Sequence, residues 1–212
     1  MQGSGPVDAA IAGYLRRQDA ESAAVLAATG DAGARRLVSL AFGEQSEPFS
    51  NPIPDVDSRV AIDRWTAALS VVAAASPVAF MDAIDDRQLN TALLSILGVI
   101  DDPRATAILC QHIADQDWLR RCNAVSALGR RNDPASRPCI ERALSDPHLV
   151  VRAEAIKAVS RWDADRAVVL YEELLHADRL TPLLRAEARA AVSDLRAGFP
   201  VRDPWDRQPP RP

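Results

Sequence analysis

The chain repeats itself at an interval of 31 residues, and this feature constrains its fold more than any other. Shifting the sequence by 31 positions aligns the stretches that begin at Ser95, Ser126 and Lys157. Apolar side chains then fall into shared columns, as expected when every copy buries one stripe of a helix. Three columns show this pattern: Leu97, Leu128 and Val159; Leu94, Val125 and Ile156; Ile113, Leu144 and Leu175. The repeat therefore predicts a series of similar helical units.

Turn residues divide each copy into two helices. Asp102-Pro103 and Asp133-Pro134 place a capping carboxylate before a proline, a pair typical of helix N-termini. Pro138 lies inside one predicted helix, where a kink is expected. A fourth copy follows, because VVRAEAIKAVSRW from Val150 matches LLRAEARAAVSDL at seven of thirteen positions. The predicted first helices cover 103–114, 134–144 and 164–176, and the predicted second helices cover 118–131 and 148–161.

Upstream of residue 85 the repeat is weaker, but the chain still reads as helical. Helices are predicted at 8–17, 20–28, 31–43, 58–75 and 77–84, and short alternating runs typical of strands are absent. Residues 44–57 hold three prolines and predict a long loop, either a plain connection or a segment that contacts a partner. Residues 197–212 are rich in proline and predict a flexible tail. The chain is predicted to be all-α.

The turn and second-helix residues resemble a known repeat family. Asp146-Pro147 and Val151-Arg152, with small and apolar residues after them, resemble the HEAT repeat signature, in particular the short bacterial form of phycobilisome-lyase-like HEAT proteins. The resemblance implies a right-handed α-solenoid (an α-α superhelix) of about five to six helical hairpins. It further implies a single domain over 1–196, with its best-formed repeats at 77–196.

The same resemblance implies roles for two sets of residues. In HEAT proteins a turn aspartate and a second-helix arginine tie neighbouring repeats together, and their counterparts here form a structural ladder: Asp115, Arg121, Asp146, Arg152, Asp178 and Arg185. The family turns one face of its second helices toward the concave side. On that face, or beside it, lie Arg120, Asn123, Ser126, Arg130, Glu154, Lys157, Arg161, Glu187 and Asp194.

This second-helix face differs between copies, whereas the core columns repeat. Such variation is typical of a binding surface on a constant scaffold, although a merely solvated helix face would also vary. Residues 119–161 carry 9 basic and 4 acidic side chains, in a chain whose formal net charge is −4. Arginine forks bind carboxylates in pairs, so we expect a protein partner with an acidic surface.

No residue pattern typical of catalysis or metal binding is found in the sequence. The histidines are His112, His148 and His176, and none of them stands in a zinc or nucleophile motif. His112 shares a column with apolar residues, which predicts a packed, hydrogen-bonded side chain. We therefore expect no enzymatic activity, no cofactor and no metal.

Three cysteines are too few, and too awkwardly spaced, to predict a disulfide framework. Cys110, Cys122 and Cys139 form no CxxC pair, so the sequence favours reduced thiols and a cytoplasmic location. Cys122 and Cys139 fall in apolar columns and are expected to be inert. Cys110 shares its column with Glu141 and Glu172, which predicts exposure.

These observations favour a non-catalytic scaffold or adaptor that binds a partner protein. Two alternatives stay open. A nucleic-acid-binding HEAT-like protein is one, because Trp118 and Trp162 flank the basic stretch, although the acidic balance of the whole chain disfavours it. A phycobiliprotein lyase or chaperone is the other, and only the repeat subtype suggests it. No apolar run is long enough to predict a membrane span.

Overall fold

The computed structural model describes residues 5–42, 58–84 and 91–201. Within these ranges every regular element is helical and no strand occurs, which confirms the all-α class. The predicted loop at 44–57 and most of the predicted tail at 197–212 lie outside the described residues. The helices are α1 Pro6–Arg17, α2 Ala20–Ala27, α3 Gly30–Phe42, α4 Ser58–Ala75, α5 Pro77–Ala83, α6 Thr91–Leu97, α7 Pro103–His112, α8 Trp118–Arg131, α9 Arg137–Ala143, α10 Leu149–Val159, α11 Ala164–Leu175 and α12 Pro182–Arg196.

The chain divides into two compact units, Met1–Ile108 and Leu109–Pro212. The division falls within α7, inside the range for which the sequence predicts a single domain. In the first unit α4 packs against α1, α2, α3, α5 and α6. Trp65, Leu69 and Val72 of α4 are buried there, so this helix forms the centre of that unit's core.

The second unit is built from helical hairpins that pack one after another. Its first helices α9 and α11 pack against the second helices α10 and α12, respectively, and α8 packs side by side with α10. Two predicted core columns are confirmed, because every member is buried: Leu94 and Leu97 in the first unit, and Val125, Leu128, Ile156 and Val159 in the second. The same apolar stripe thus supports successive hairpins. The right-handed superhelix stays a prediction.

Side-chain caps explain where the helices of the second unit begin. The Asp117 carboxylate accepts a hydrogen bond from the Leu119 amide (2.9 Å), and α8 starts between them. Asp163 caps α11 through the Arg166 amide, and Thr181 caps α12 through the Leu184 amide. Each cap satisfies an amide that the first helical turn leaves without a partner.

The predicted helix over 134–144 is the one that differs most from the structure. A short 3-10 turn occupies Pro134–Ser136, and the α-helical part, α9, begins only at Arg137. Pro138 lies in the first turn of α9, where its missing amide leaves no hydrogen bond unmade, so the break precedes the proline rather than forming a kink.

Candidate functional site

The predicted binding face depends on how closely α8 and α10 approach each other. Gly129 of α8 is buried, and a Cβ atom built on it would lie 2.9 Å from the Cβ of Ala158 in α10. Only a residue without a side chain permits this approach. The predicted face residues of α8 are therefore carried on a helix that is in direct contact with α10.

The α8 part of the face consists of polar side chains that are already engaged. Asn123 donates from Nδ2 to the Leu119 carbonyl (2.8 Å), and Arg130 donates from Nη1 to the Ser126 hydroxyl (3.1 Å). Asn123, Ser126 and Arg130 are all half-buried. These contacts orient the side chains along one face of α8.

The α10 part of the face holds an ion pair. Lys157 Nζ lies 2.7 Å from Glu154 Oε2, and the two side chains are only 12% and 23% exposed. This pair neutralises a positive charge that the sequence assigned to a basic patch. Arg161 is exposed, but it lies in the turn after Val159 rather than on α10 itself, so the predicted helix over 148–161 is slightly too long.

The electrostatics of Cys122 show that the α8 and α10 residues are neighbours. Burial, followed by the negative charge of Glu154, raises the pKa of the Cys122 thiol to about 12, and Lys157 acts in the opposite direction. A charge can influence a thiol in this way only at short range. Cys122 of α8 is therefore close to Glu154 and Lys157 of α10.

Tyr171 of α11 is near charged face residues of both α10 and α12. Burial raises the pKa of the Tyr171 hydroxyl, and the charges of Glu154 and Glu187 add to that effect. Tyr171 is thus close to carboxylates of both α10 and α12. Glu187 is exposed and Asp194 is half-buried, and both are on α12 as the sequence predicts.

Arg120 forms an ion pair in the turn before α8. Its Nε lies 2.9 Å from Asp115 Oδ2, and His112 Nδ1 lies 3.5 Å from the same oxygen. Burial disfavours the charged form of Asp115, but the Asp117 amide, Arg120 and His112 outweigh it and lower the pKa of that carboxyl. A predicted face residue and a predicted ladder residue are therefore paired with each other.

Arg121 links two successive hairpins. Its Nε and Nη2 donate to both carboxylate oxygens of Asp146 (2.7 and 3.0 Å), and its Nη1 donates to the backbone carbonyls of Asp115 and Gln116 (2.8 and 3.1 Å). Burial opposes the charge of Asp146, but Arg121 and the His148 amide outweigh that effect and lower the pKa of its carboxyl. An arginine from one hairpin is thus fixed to the turn of the next hairpin.

Residues 106–193 match the family model described as HEAT repeats. This segment, called the HEAT segment from here on, is similar to HEAT repeats. It includes α8 to α11 and most of α12, and it holds all of the predicted ladder residues and every predicted face residue except Asp194. No curated protein matches the chain.

The remaining ladder residues of the HEAT segment do not repeat the Arg121 arrangement. Arg185 donates from Nη1 to the Leu175 carbonyl (2.9 Å), whereas Asp178 is exposed. Arg152 Nε is buried and has no hydrogen-bond partner among the described residues. The copies differ by two inserted residues between His176 and Pro182, which alters the geometry of this turn.

Several contacts of the HEAT segment were not evident from the sequence. Trp118 stacks on His148 with ring centroids 4.1 Å apart, and Arg137 lies 5.3 Å from the ring centroid of Trp162. Two more arginine–carboxylate pairs join helices: Arg166 of α11 pairs with Glu141 of α9, and Arg196 of α12 pairs with Glu172 of α11. Their sequence separations are 25 and 24 residues, against 25 between Arg121 and Asp146, but in these two pairs the arginine follows its carboxylate, so no common spacing in the sequence pointed to them.

The prediction of reduced thiols is wrong for two of the three cysteines. Cys110 of α7 and Cys139 of α9 form a disulfide, and both residues are half-buried. Cys139 is therefore not an inert apolar residue, and Cys110 is not exposed. Cys122 is a free cysteine, and its raised pKa agrees with the unreactive thiol that the sequence predicts.

Two absences hold within the described ranges, 5–42, 58–84 and 91–201. Within them no three His, Cys, Asp or Glu side chains are grouped closely enough to hold a metal ion. None of the helices described there is long and apolar enough to cross a membrane.

Proposed function

We propose that this protein is a non-catalytic scaffold or adaptor that binds a partner protein through the second-helix face of its HEAT segment. The observation that supports this proposal most directly is the contact between α8 and α10, because α8 carries Asn123, Ser126 and Arg130 and α10 carries Glu154 and Lys157. A HEAT segment is a common scaffold for protein interaction, and its core columns are constant here while this face varies.

The partner that we propose presents acidic groups to the arginine end of this face. Arg130 and the exposed Arg161 lie near the C-terminal ends of α8 and α10, where the helix dipole also favours positive charge. Lys157 contributes less to attraction because Glu154 already neutralises it. Recognition would therefore combine arginine–carboxylate pairs at one end with uncharged polar contacts, through Asn123 and Ser126, at the other.

Crosslinking and mass spectrometry from a native lysate tests this proposal. The chain is captured as wild type, as Arg161→Glu and as Arg130→Glu. A matched control is Arg142→Glu, an identical charge reversal at an exposed position of α9, a first helix. We expect a protein crosslinked near residues 123–161 that both face variants lose by tenfold or more and the control retains. Equal capture by all variants would contradict the proposed face.

The same samples address the alternatives that the sequence leaves open. Salt-sensitive retention on DNA at low ionic strength would favour nucleic-acid binding over a protein partner. A new visible absorbance band on mixing with a bilin would favour the lyase or chaperone role that the phycobilisome-lyase-like subtype suggests. We expect neither result. We also propose a cytoplasmic site of action, for which the Cys110–Cys139 disulfide removes the support of reduced thiols, and fractionation of the native cells would test it.

A further inference from the structure

The second unit contains a covalent link between two of its helices. Cys110, in the last turn of α7, is joined to Cys139 in α9, 29 residues further along the chain. Both cysteines lie within the second compact unit, Leu109–Pro212. The bond therefore ties the beginning of this unit to the first helix of its next hairpin.

Helix α9 has few local reasons to be stable. It contains seven residues, well below the roughly 12 residues at which an isolated helix becomes marginally stable in water. A 3-10 turn precedes it, Pro138 lies in its first turn, and its N-cap residue Ser136 makes no side-chain capping hydrogen bond. Its order must come from tertiary contacts.

Three groups of contacts supply that order. Ile140 and Ala143 are buried, Glu141 receives two hydrogen bonds from Arg166 of α11, and Cys139 is bonded to Cys110. The Arg166–Glu141 pair is about 40% exposed on each side, so solvent weakens it. Of these three groups of contacts, the disulfide is the covalent one. Helix α9 also packs against both α8 and α10.

We propose that the Cys110–Cys139 disulfide is a redox-sensitive crosslink that holds α9 in place. Its reduction by a dithiol loosens this helix and the α8–α10 pair packed against it. Both cysteines are half-buried rather than enclosed, so a reductant can approach the bond. The consequence for partner binding rests on the proposed function, whereas the loosening of α9 does not.

The chemistry is ordinary thiol–disulfide exchange. A thiolate of the dithiol attacks one sulfur, the Cys110–Cys139 bond breaks, and a mixed disulfide forms. The second thiol of the reductant then displaces the cysteine. Two electrons pass to the protein, Cys110 and Cys139 each take up one proton, and the dithiol leaves as a cyclic disulfide. Cys122 does not compete as a nucleophile, because it is on α8 and its thiol is held protonated.

The first measurement asks whether the bond forms and what it stabilises. Peptide mapping of the full chain without reductant should recover a crosslinked peptide pair that contains Cys110 and Cys139. Adding dithiothreitol should lower the Tm by about 5–10 °C, from the effect typical of a disulfide that closes a loop of this length. The Cys110→Ser/Cys139→Ser double variant should show the lower Tm with or without reductant, and Cys122→Ser should behave as wild type.

The second measurement locates the change and does not require a partner. Amide hydrogen exchange over residues 134–144 should accelerate at least tenfold on reduction, with a smaller increase in α8 and α10. Two outcomes would overturn the proposal: free thiols at Cys110 and Cys139 in protein kept under air, or complete reduction with unchanged Tm and unchanged exchange over 134–144. If no partner protein were found, the Tm and the hydrogen exchange would still test the disulfide proposal. The failure of one proposal can therefore be distinguished from the failure of the other.

Discussion

Gly129 and Ala158 are the point of closest approach between the two helices of the candidate face. A Cβ on Gly129 would lie 2.9 Å from the Ala158 Cβ and 3.4 Å from the Ala158 Cα. Since the Ala158 Cβ is fixed to its backbone, the clash at 2.9 Å cannot be relieved by rotating a side chain. The helices would have to separate, and the packing on either side would loosen with them.

We therefore expect Gly129→Ala to destabilise the second unit. Overpacking costs about 1–3 kcal/mol, and the better helix propensity of alanine offsets up to about 1 kcal/mol of it. The measurement is urea unfolding followed by circular dichroism. Gly13→Ala is a suitable control, because Gly13 is also helical but has nothing within 4 Å of its built Cβ. A Gly129→Ala variant at least as stable as wild type would show that the helices are not in contact there.

The link between Arg121 and Asp146 should contribute more to stability than any exposed ion pair of the chain. Both side chains are nearly inaccessible, 12% and 6% exposed, and each satisfies the other's hydrogen bonds. Removing one partner would leave a buried charge uncompensated, at a cost of about 3 kcal/mol. We expect this loss for Asp146→Ala and a smaller one for Asp146→Asn, measured by urea unfolding at pH 7.

The same pair predicts a dependence on acid. The pKa of the Asp146 carboxyl is lowered from 3.8 in the folded protein, so its stabilising contribution is present above pH 4 and disappears as the pH falls below that value. The difference in free energy of unfolding between wild type and Asp146→Asn should be constant from pH 7 to about pH 5. It should then shrink below about pH 4. A difference that grew in acid would contradict the sign of this pKa shift.

The Arg166–Glu141 pair offers a contrast, because it has good geometry but is exposed. Its two hydrogen bonds measure 2.5 and 2.7 Å, while the side chains are 43% and 40% exposed. A double-mutant cycle with Arg166→Ala and Glu141→Ala should give a coupling of about 0.3–1 kcal/mol that declines at 1 M salt. A coupling as large as the cost of Asp146→Ala would mean that exposure does not distinguish the two pairs.

The cap of α11 can be tested without disturbing any core residue. Asp163 is exposed, and its carboxylate accepts a hydrogen bond from the Arg166 amide (3.0 Å). Asp163→Ala should lower the free energy of unfolding by about 1 kcal/mol, whereas Asp163→Asn should retain most of it, because asparagine caps helices about as well as aspartate. Equal losses in thermal or urea unfolding would mean that the charge of Asp163 matters rather than its cap.

The elements that the sequence predicts best are those controlled by local chemistry. The predicted bounds of α8 and α4 agree with the structure, and Leu128 and Val159 are buried as the repeat requires. Caps such as Asp117 act within one helical turn. A column of apolar residues directly predicts which side chains are buried in the core. Local signals of this kind are readable without knowledge of the packing.

The exact partners in contacts between hairpins did not follow from the columns, because these contacts run diagonally across the repeat. A shift of 31 places Cys110 opposite Glu141, but its bonded partner is Cys139, two positions earlier. Arg121 reaches a residue 25 positions later, not one in its own column. The net charge of residues 119–161 does not show which cations are already paired. Lys157 is paired with Glu154, one helical turn away, so its charge is less available to a partner.

The guanidinium of Arg121 is a rigid planar group that holds two carbonyls of its own turn on one side and the next turn's carboxylate on the other. It therefore acts as a gauge of the distance between adjacent repeats. Inserting a single residue between Gly129 and Asp146 would move the Asp146 carboxylate away from Arg121 before it removed any apolar side chain from the core. The length of the segment between Arg121 and Asp146 is thus more constrained than the identity of the outward side chains of α8.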